Sequence, residues 1–482
     1  MAEESFARTV LTAMHQALQT QGRSLRSVER ALGLGRGYLS RMFSGGHDPR
    51  FSVYVRIIEE TRLDPSLLMG GAGVGELDPV RFLLARAAAE GKRWRHRRSV
   101  DAAIQAIDAA APTPLRSPWR DLDACAERAR HLSAQLPSQQ RHNYARTARY
   151  ARAPFPEVML DHLDELRDDD PESAREGAMA LLTHLAPRLD GDRPTRRAVA
   201  ARALGIAGSA CRQRLDLSGA ACALGHGLAL AEESSPRATA ELLQRASYLV
   251  ADWGLFNWGL FMLGAAEKRL WALADGEPLL VRAQIDKARL FIWEGEDRAA
   301  IGLLRWAARQ DPASRRYRFA TFQLLALANR KLGELEAAIE RLRQAETLLG
   351  GEASMNGAKL RGTRAVIERE VGRLPSSVES FEAAAAWFEV CEAYEHVVAM
   401  EVNHLHARAL AGMRLPRANR DRLNRAVGYL PEDVQASAIA CEVVRAWLAG
   451  TLSVELLAKL AAVVLKEERA PHERAPGEIS PY

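Results

Sequence analysis

Arginine is the residue type with the most evident chemistry near the start of this 482-residue chain. Residues 1–100 hold sixteen basic side chains against ten acidic ones, a net charge of +6, whereas the remainder of the chain carries −1 of the total of +5. A positive excess confined to one end is typical of a segment that contacts a polyanion. A solvated basic linker explains the charge equally well, so charge alone leaves both interpretations open.

Five short amphipathic helices must position these arginines. The periodicity predicts helices over residues 6–20, 24–32, 36–43, 51–61 and 65–69. The Ser24 hydroxyl is placed to cap the second helix, and Gly33 ends it. Leu39 and Phe43 are predicted to face inward from the third helix.

The segment from Ser24 to Phe43 resembles the helix-turn-helix of the Cro and lambda-repressor-like (XRE) family. Apolar residues at 28, 32, 39 and 43 lock two helices at a fixed angle, and Gly33 supplies the turn. The resemblance extends over residues 6–69 and includes the loop at Asp48 and Pro49. It implies a DNA-binding domain that inserts its third helix into the major groove.

Eight residues are DNA-binding candidates on this basis: Ser24, Arg26, Arg36, Gly37, Tyr38, Ser40, Arg41 and Arg50. Arg36 and Arg41 suit guanine, because a guanidinium presents two parallel donors to its two major-groove acceptors. Tyr38 suits a thymine methyl group or a phosphate. The remaining arginines and Ser24 suit phosphates, which fix register without reading sequence. A solvated surface charge is the alternative for each arginine.

Glu29 departs from the family pattern, which generally has a small residue where the two helices cross. We expect its carboxylate to escape to the edge of the crossing or to pair with Arg26 or Arg30. Either arrangement would loosen the crossing without changing the fold.

Composition divides the chain into four predicted segments. Residues 1–69 form the helix-turn-helix domain, and residues 70–118 form a glycine-rich hinge followed by a basic linker helix over 80–107. Residues 119–467 are a succession of Ala/Leu-rich helices, and residues 468–482 are a flexible tail. The basic run at 92–98 is either a further phosphate-binding segment or a solvated helix face.

Small residues recur through the Ala/Leu-rich segment at a nearly constant step. Anchors at Ala220, Gly259, Ala300, Ala338 and Ser377 are 39, 41, 38 and 39 residues apart. Such a step matches one helical hairpin, and hairpins of this kind stack into a solenoid. The pattern resembles the tetratricopeptide repeat, with a longer period than that family's. The predicted fold is all-α, a five-helix domain followed by an α-solenoid, and an unrelated helical bundle is the alternative.

The combination implies a transcription regulator that binds double-stranded DNA as a homodimer and receives a peptide, ligand or protein on its array. Two features of the array bear on that ligand. A tryptophan group either lines a groove or fills the spaces between hairpins, and two asparagines are candidates to hold a peptide backbone. These residues are Trp253, Trp258, Trp271, Trp293 and Trp306, and Asn329 and Asn403. The alternative is an interaction adaptor or the DNA-binding partner in a toxin or defence system.

Several other classes find little support in the sequence. No apolar run reaches the length of a membrane helix, and Glu3 and Glu4 stand where an export signal has positive charge, so we expect a cytoplasmic protein without membrane contact. The five cysteines are scattered, and His404 and His406 point to different helix faces, so we expect no metal. We also expect no cofactor and no enzymatic activity, since the common phosphate-binding and hydrolase motifs are absent.

Overall fold

Helices supply the regular secondary structure of the residues that the computed structural model describes, and no β-strand occurs among those residues. The described residues are 2–44, 50–68, 75–90, 94, 96–112, 122–133, 139, 144, 148–152, 154–167, 170–274, 276–310, 314–349, 354–430 and 435–464. The predicted all-α class is therefore confirmed. Within this part of the chain, no helix is both long enough and apolar enough to cross a bilayer.

Some predictions concern residues outside the described ranges. These are the Asp48–Pro49 loop, hinge residues 70–74, residues 92, 93 and 95 of the basic run, the proline-rich break near 113–118 and the tail 468–482. They stay predictions, as does the division at residues 69, 118 and 467.

The described residues up to Ala283 group into one compact unit. Its helices are α1 Ala2–Thr20, α2 Leu25–Ala31, α3 Tyr38–Phe43, α4 Phe51–Thr61, α5 Pro65–Leu68, α6 Asp78–Glu90, α7 Arg97–Ala109, α8 Leu122–Ser133, α9 Phe155–Leu166, α10 Pro171–Ala180, α11 Arg193–Gln213, α12 Leu217–Glu232, α13 Pro236–Asp252 and α14 Phe256–Trp271. Short 3-10 turns at Ala148–Ala151 and Ala186–Arg188 and a π turn at Leu181–Leu185 complete the unit.

Helices α1 to α5, called the headpiece below, lie where the sequence predicts them. Helix α4 has the predicted bounds, and α3 begins two residues later than expected, at Tyr38. The predicted single linker helix over 80–107 is wrong, because α6 ends at Glu90 and α7 begins at Arg97. Trp94, between the two helices, is not helical, and its side chain is buried.

The headpiece core consists of one apolar stripe from each helix. Residues with little or no exposure are Val10, Met14, Leu18, Val28, Leu39, Met42, Tyr54, Ile57 and Leu68. Leu39 is fully buried as predicted, and Met42, which the prediction omits, is the second fully buried residue of α3. Phe43 is half-buried and stacks on His15 of α1, with ring centroids 4.9 Å apart. A six-residue helix has only one buried face, and positions 39 and 42 share it.

The second unit begins at Gln284, within helix α15 Glu277–Glu294. It continues with α16 Asp297–Arg309, α17 Arg315–Lys331, α18 Leu335–Glu346, α19 Met355–Glu370, α20 Leu374–Val390, α21 Tyr394–Leu410, α22 Arg417–Tyr429, α23 Gln435–Leu448 and α24 Val454–Val464. One core cluster of this unit includes Phe381, Phe388, Val398 and Leu405.

Left-handed turns mark a repeating helical hairpin along both units. Seven residues with positive φ recur at a nearly constant step: Leu215, Gly254, Gly295, Gly333, Gly372, Gly412 and Gly450, at steps of 39, 41, 38, 39, 40 and 38 residues. Glu392, with a φ of 54°, lies between α20 and α21 and outside this series. Each turn lies between two consecutive helices, from α11–α12 through α23–α24. The five predicted anchors each lie five residues after one of these turns. The chain is thus helical-repeat-like, and the finer assignment to a tetratricopeptide-like solenoid stays a prediction.

The anchors lie where the second helix of a hairpin begins to pack. Ala220, Ala300, Ala338 and Ser377 have no exposed surface, and the Ser377 hydroxyl donates a 2.7 Å hydrogen bond to the Ala365 carbonyl of the preceding helix. A small side chain at this position therefore lets two helices approach closely.

Candidate nucleic-acid interface

Helices α2 and α3 are joined by a tight turn whose geometry depends on two glycines. Ser24 has extended backbone angles, and its hydroxyl oxygen accepts a 3.1 Å hydrogen bond from the Ser27 amide, so the predicted cap of α2 is confirmed. Gly33 and Gly37 have φ values of 63° and 77°, which side chains rarely tolerate. The α4 residue Arg56 donates a 2.7 Å hydrogen bond to the Leu32 carbonyl and holds the end of α2.

The two faces of α3 differ in burial. Leu39 and Met42 have no exposed surface, whereas Arg36 in the preceding turn, Ser40 and Arg41 are exposed. The α3 segment therefore presents two guanidinium groups and a hydroxyl to solvent from a rigidly packed base. Tyr38 and Gly37 are half-buried at the start of the helix.

Gly37 lies beside the Arg41 guanidinium. A Cβ atom placed on Gly37 would lie 3.4 Å from Nη1 of Arg41, so this side chain runs back along α3 toward its N-terminus. Arg36 lies in the turn that precedes the same end of the helix. The structure thus brings the predicted residues Arg36, Gly37 and Arg41 to one end of α3.

Three phosphate-contact candidates lie outside α3. Ser24 and Arg26 are at the start of α2, and Arg50 immediately precedes α4; all three are exposed. Because the Ser24 hydroxyl oxygen accepts the capping bond, its proton remains the group to offer to a phosphate.

Glu29 does not behave as the sequence predicts. Its side chain is buried, and its carboxylate accepts hydrogen bonds from the Gly37 amide at 3.1 Å and from the Leu39 amide at 2.9 Å. The expected escape to the edge, or ion pair with Arg26 or Arg30, is wrong. The physical reason is that the first amides of a helix have no partner within it, and a nearby carboxylate satisfies them and opposes the positive end of the helix dipole.

The headpiece is attached to the repeat helices of its own unit through aromatic and polar contacts. The Phe51 and Trp253 rings meet edge to face at 4.7 Å, and the buried Trp258 indole donates a 3.2 Å hydrogen bond to the Leu63 carbonyl. Of the predicted tryptophan group, these two fill the join, whereas Trp271 is 70% exposed.

An ion-pair group joins the segment before α6 to α14. Glu76 lies 3.1 Å from Nζ of Lys268 and 3.0 Å from Nη1 of Arg269. Partial burial by itself raises the pKa of Glu76, but the hydrogen bonds and positive charges of Lys268 and Arg269 outweigh burial, and the net pKa is lowered. The carboxylate is thus held in its charged form.

Sequence reasoning missed three contributors to this site: the capping role of Glu29, the clamp from Arg56 and the join through Trp258. One signal for Glu29 was present. Gly37 has no side chain to cap α3, so another residue has to supply the acceptor. In the part of the chain that the structure describes, no group of three or more His, Cys, Asp or Glu side chains is arranged to hold a metal ion.

Searches of the sequence against protein-family models and against curated proteins gave no match.

Proposed function

We propose that the chain is a sequence-specific DNA-binding transcription regulator that acts in the cytoplasm and reads DNA with α3. The observation that carries the proposal is the division of α3 into two faces. Leu39 and Met42 fix the helix to the headpiece core, and Arg36, Ser40 and Arg41 remain exposed. Two helices joined by a tight glycine turn, the second with an exposed basic face, suit insertion into the major groove.

Each candidate has a role in this proposal. Arg36 and Arg41 donate to guanine edges, and Tyr38 and Ser40 contact bases or sugar-phosphate beside them. Gly37 permits close approach of the backbone. Ser24, Arg26 and Arg50 bind phosphates and fix register.

The helical repeats contribute dimerisation and sensing of a peptide, ligand or protein in this proposal. Their support is the repeating hairpin of 38 to 41 residues, since stacked hairpins present extended surfaces suited to a partner. Twofold symmetry would then place two half-sites about one turn of DNA apart, roughly 10 base pairs.

Selection of genomic fragments on the full-length protein, followed by binding measurements at several salt concentrations, tests the proposal. The Arg36→Ala, Arg41→Ala variant should lose about 30-fold or more in affinity for the best fragment, since each bidentate contact contributes at least about 1 kcal/mol. The matched control is Arg305→Ala, Arg309→Ala, which removes two exposed arginines four residues apart on α16. Unchanged binding by the first variant would show that α3 is not the reading helix.

The phosphate contacts have a different signature. Arg26→Ala should weaken binding to all fragments alike and reduce the slope of log affinity against log salt by about 1. A change in sequence preference would contradict this assignment.

A second candidate function is an interaction adaptor or the DNA-binding partner in a toxin or defence system. It is favoured by large apolar side chains that the repeats expose, namely Trp271, Val390, Tyr429 and Leu448, with 67% to 72% of their surface accessible. A protein recovered in stoichiometric amounts with the native chain, together with the absence of any preferred DNA fragment, would establish this function over the first.

A further inference from the structure

Helix α3 begins without a side-chain cap from its own N-cap residue. Its N-cap residue is Gly37, in the left-handed region, and no side-chain hydrogen bond comes from that position. The helix is only six residues long. Helices of this length are not stable by propensity alone, so α3 depends on bonds made by the rest of the headpiece.

Glu29 supplies the missing acceptors from a distance of eight residues along the chain. One carboxylate oxygen, Oε2, accepts from the Gly37 amide, and the other, Oε1, accepts from the Leu39 amide. The side chain is 4% exposed, whereas Arg26 and Arg30 on the same helix are exposed. Hydrogen bonds to a charged acceptor are about twice as strong as neutral ones, particularly away from water.

The two bonds constrain α3 more tightly than an ordinary cap would. An ordinary cap residue moves together with the helix that it caps. Glu29 instead belongs to α2, and its two hydrogen bonds fix the first turn of α3 relative to α2. The Leu32 carbonyl at the end of α2 is in turn held by Arg56 of α4. The N-terminal end of α3, next to Arg36 and beneath Arg41, is therefore fixed relative to the headpiece core.

We infer that Glu29 is a positioning residue of the DNA interface: its buried carboxylate fixes the register of α3 so that Arg36 and Arg41 reach base edges together. This inference rests on the proposed DNA-binding function. The carboxylate itself is buried beneath the helix and does not contact DNA. Its loss should therefore lower the discrimination between sequences more than it lowers attraction to phosphates.

Three full-length variants test the inference. Glu29→Ala removes both acceptors, and Glu29→Gln keeps one carbonyl acceptor and nearly the same volume. Glu60→Gln is the matched control: it removes the same charge from the headpiece, at an exposed residue that pairs with Arg23 and not with α3. Each is measured for the ratio of affinities between the best genomic fragment and random DNA, and for amide hydrogen exchange resolved to single residues.

In Glu29→Ala, the amides of Gly37 and Leu39 should exchange at least about tenfold faster, and the affinity ratio should fall about tenfold or more, while binding to random DNA stays within about twofold. Glu29→Gln should recover a substantial part of both, and Glu60→Gln should match the unmodified protein. The ratio of specific to random binding distinguishes positioning from general stability, because a merely structural loss lowers both affinities in parallel.

Two results would overturn the inference. One is an unchanged affinity ratio in Glu29→Ala despite faster exchange at Gly37 and Leu39. The other is a Glu29→Gln variant that is folded but no better than Glu29→Ala. If the unmodified protein prefers no fragment, the proposed function fails, and the exchange rates alone then decide whether Glu29 holds α3.

Discussion

The headpiece and the second unit hold their helices in place by different means. In the headpiece, individual side chains bond to backbone groups of neighbouring elements, as Glu29 does to the first turn of α3 and Arg56 to the end of α2. In the second unit, a left-handed glycine turn recurs at the hairpins, and in the first three of them a small side chain five residues later permits close approach.

Because of this difference, the two regions should respond differently to substitution. A repeated device places each helix through packing, so its failure appears as lost stability. A single non-local hydrogen bond sets the angle of one helix. Its loss therefore appears first in the function that depends on that angle.

The largest effect should come from enlarging an anchor of the repeat. Ala338→Leu forces a larger side chain into a position with no exposed surface between α17 and α18, and should reduce the free energy of unfolding by about 3 kcal/mol. Ala337→Leu is the matched control, since the neighbouring residue is exposed. Urea denaturation measures both, and equal stability of the two variants would show that the small anchors are not what sets hairpin spacing.

A pH effect should follow from His406 in the second unit. Burial lowers its pKa to about 4, and the positive charge of Arg369, whose Nη1 lies 3.3 Å from the imidazole Nδ1, acts in the same direction. The unfolded chain takes up a proton near pH 6.5 while the folded chain resists it, so stability conferred above pH 6.5 is lost as pH falls through about 4. The loss should be about 2 kcal/mol after allowance for partial exposure.

Urea unfolding at pH 7.5 and pH 4.5 measures this dependence. In His406→Gln the difference in stability between the two pH values should shrink by about that amount, about 2 kcal/mol. His396→Gln, which replaces an exposed histidine on the same helix α21, is the control and should keep the full difference. Identical pH dependence in both variants would contradict the role of His406.

A smaller effect is expected where the headpiece uses an ordinary local cap. Ser24→Ala removes the acceptor of the Ser27 amide at the start of α2 and should cost about 1 kcal/mol. The exposed Ser99 lies within the first turn of α7, and Ser99→Ala should cost nothing because alanine favours helix. A thermal melt that shows equal shifts for both would indicate that Ser24 does not cap α2.

The smallest effect should be a gain in stability at Leu215, the non-glycine member of the series of hairpin turns. Leu215 has a φ of 62° at the position where the other six turns have glycine, and its side chain is 42% exposed. Leu215→Gly should relieve backbone strain and raise stability by about 0.5 kcal/mol, after the added flexibility of the unfolded chain is deducted. Gly333→Ala, with a φ of 78°, should shift stability in the opposite direction by about 1 kcal/mol. A loss in Leu215→Gly would show that the leucine contributes more through its contacts than it costs in strain.

The features that the sequence predicted well are those with a local cause. The bounds of α4 and the anchors at Ala300 and Ala338 follow from periodicity, small residues and glycine turns, which are visible within one or two helices. The turns at Gly412 and Gly450 went unrecognised because arginine and glutamate, not small residues, stand five positions after them.

The features that the sequence did not predict depend on partners that are distant along the chain, or on a residue that replaces a missing local cap. The Trp258–Leu63 hydrogen bond joins residues 195 positions apart, and no local pattern marks either of them. The expected position of the Glu29 carboxylate is wrong because it follows from α2 alone, whereas the partners of that carboxylate are amides at the uncapped start of α3. The candidate residues of α3 stay a prediction, and the bonds that hold α3 were not predicted.

The tryptophans at the join give the protein its own optical reporter. Trp258 is 1% exposed and Trp253 is 7% exposed, and both lie against the headpiece. Separation of the headpiece from α13 and α14 would bring both indoles into water and move their emission to longer wavelength. Fluorescence of the unlabelled protein would therefore follow headpiece release in real time.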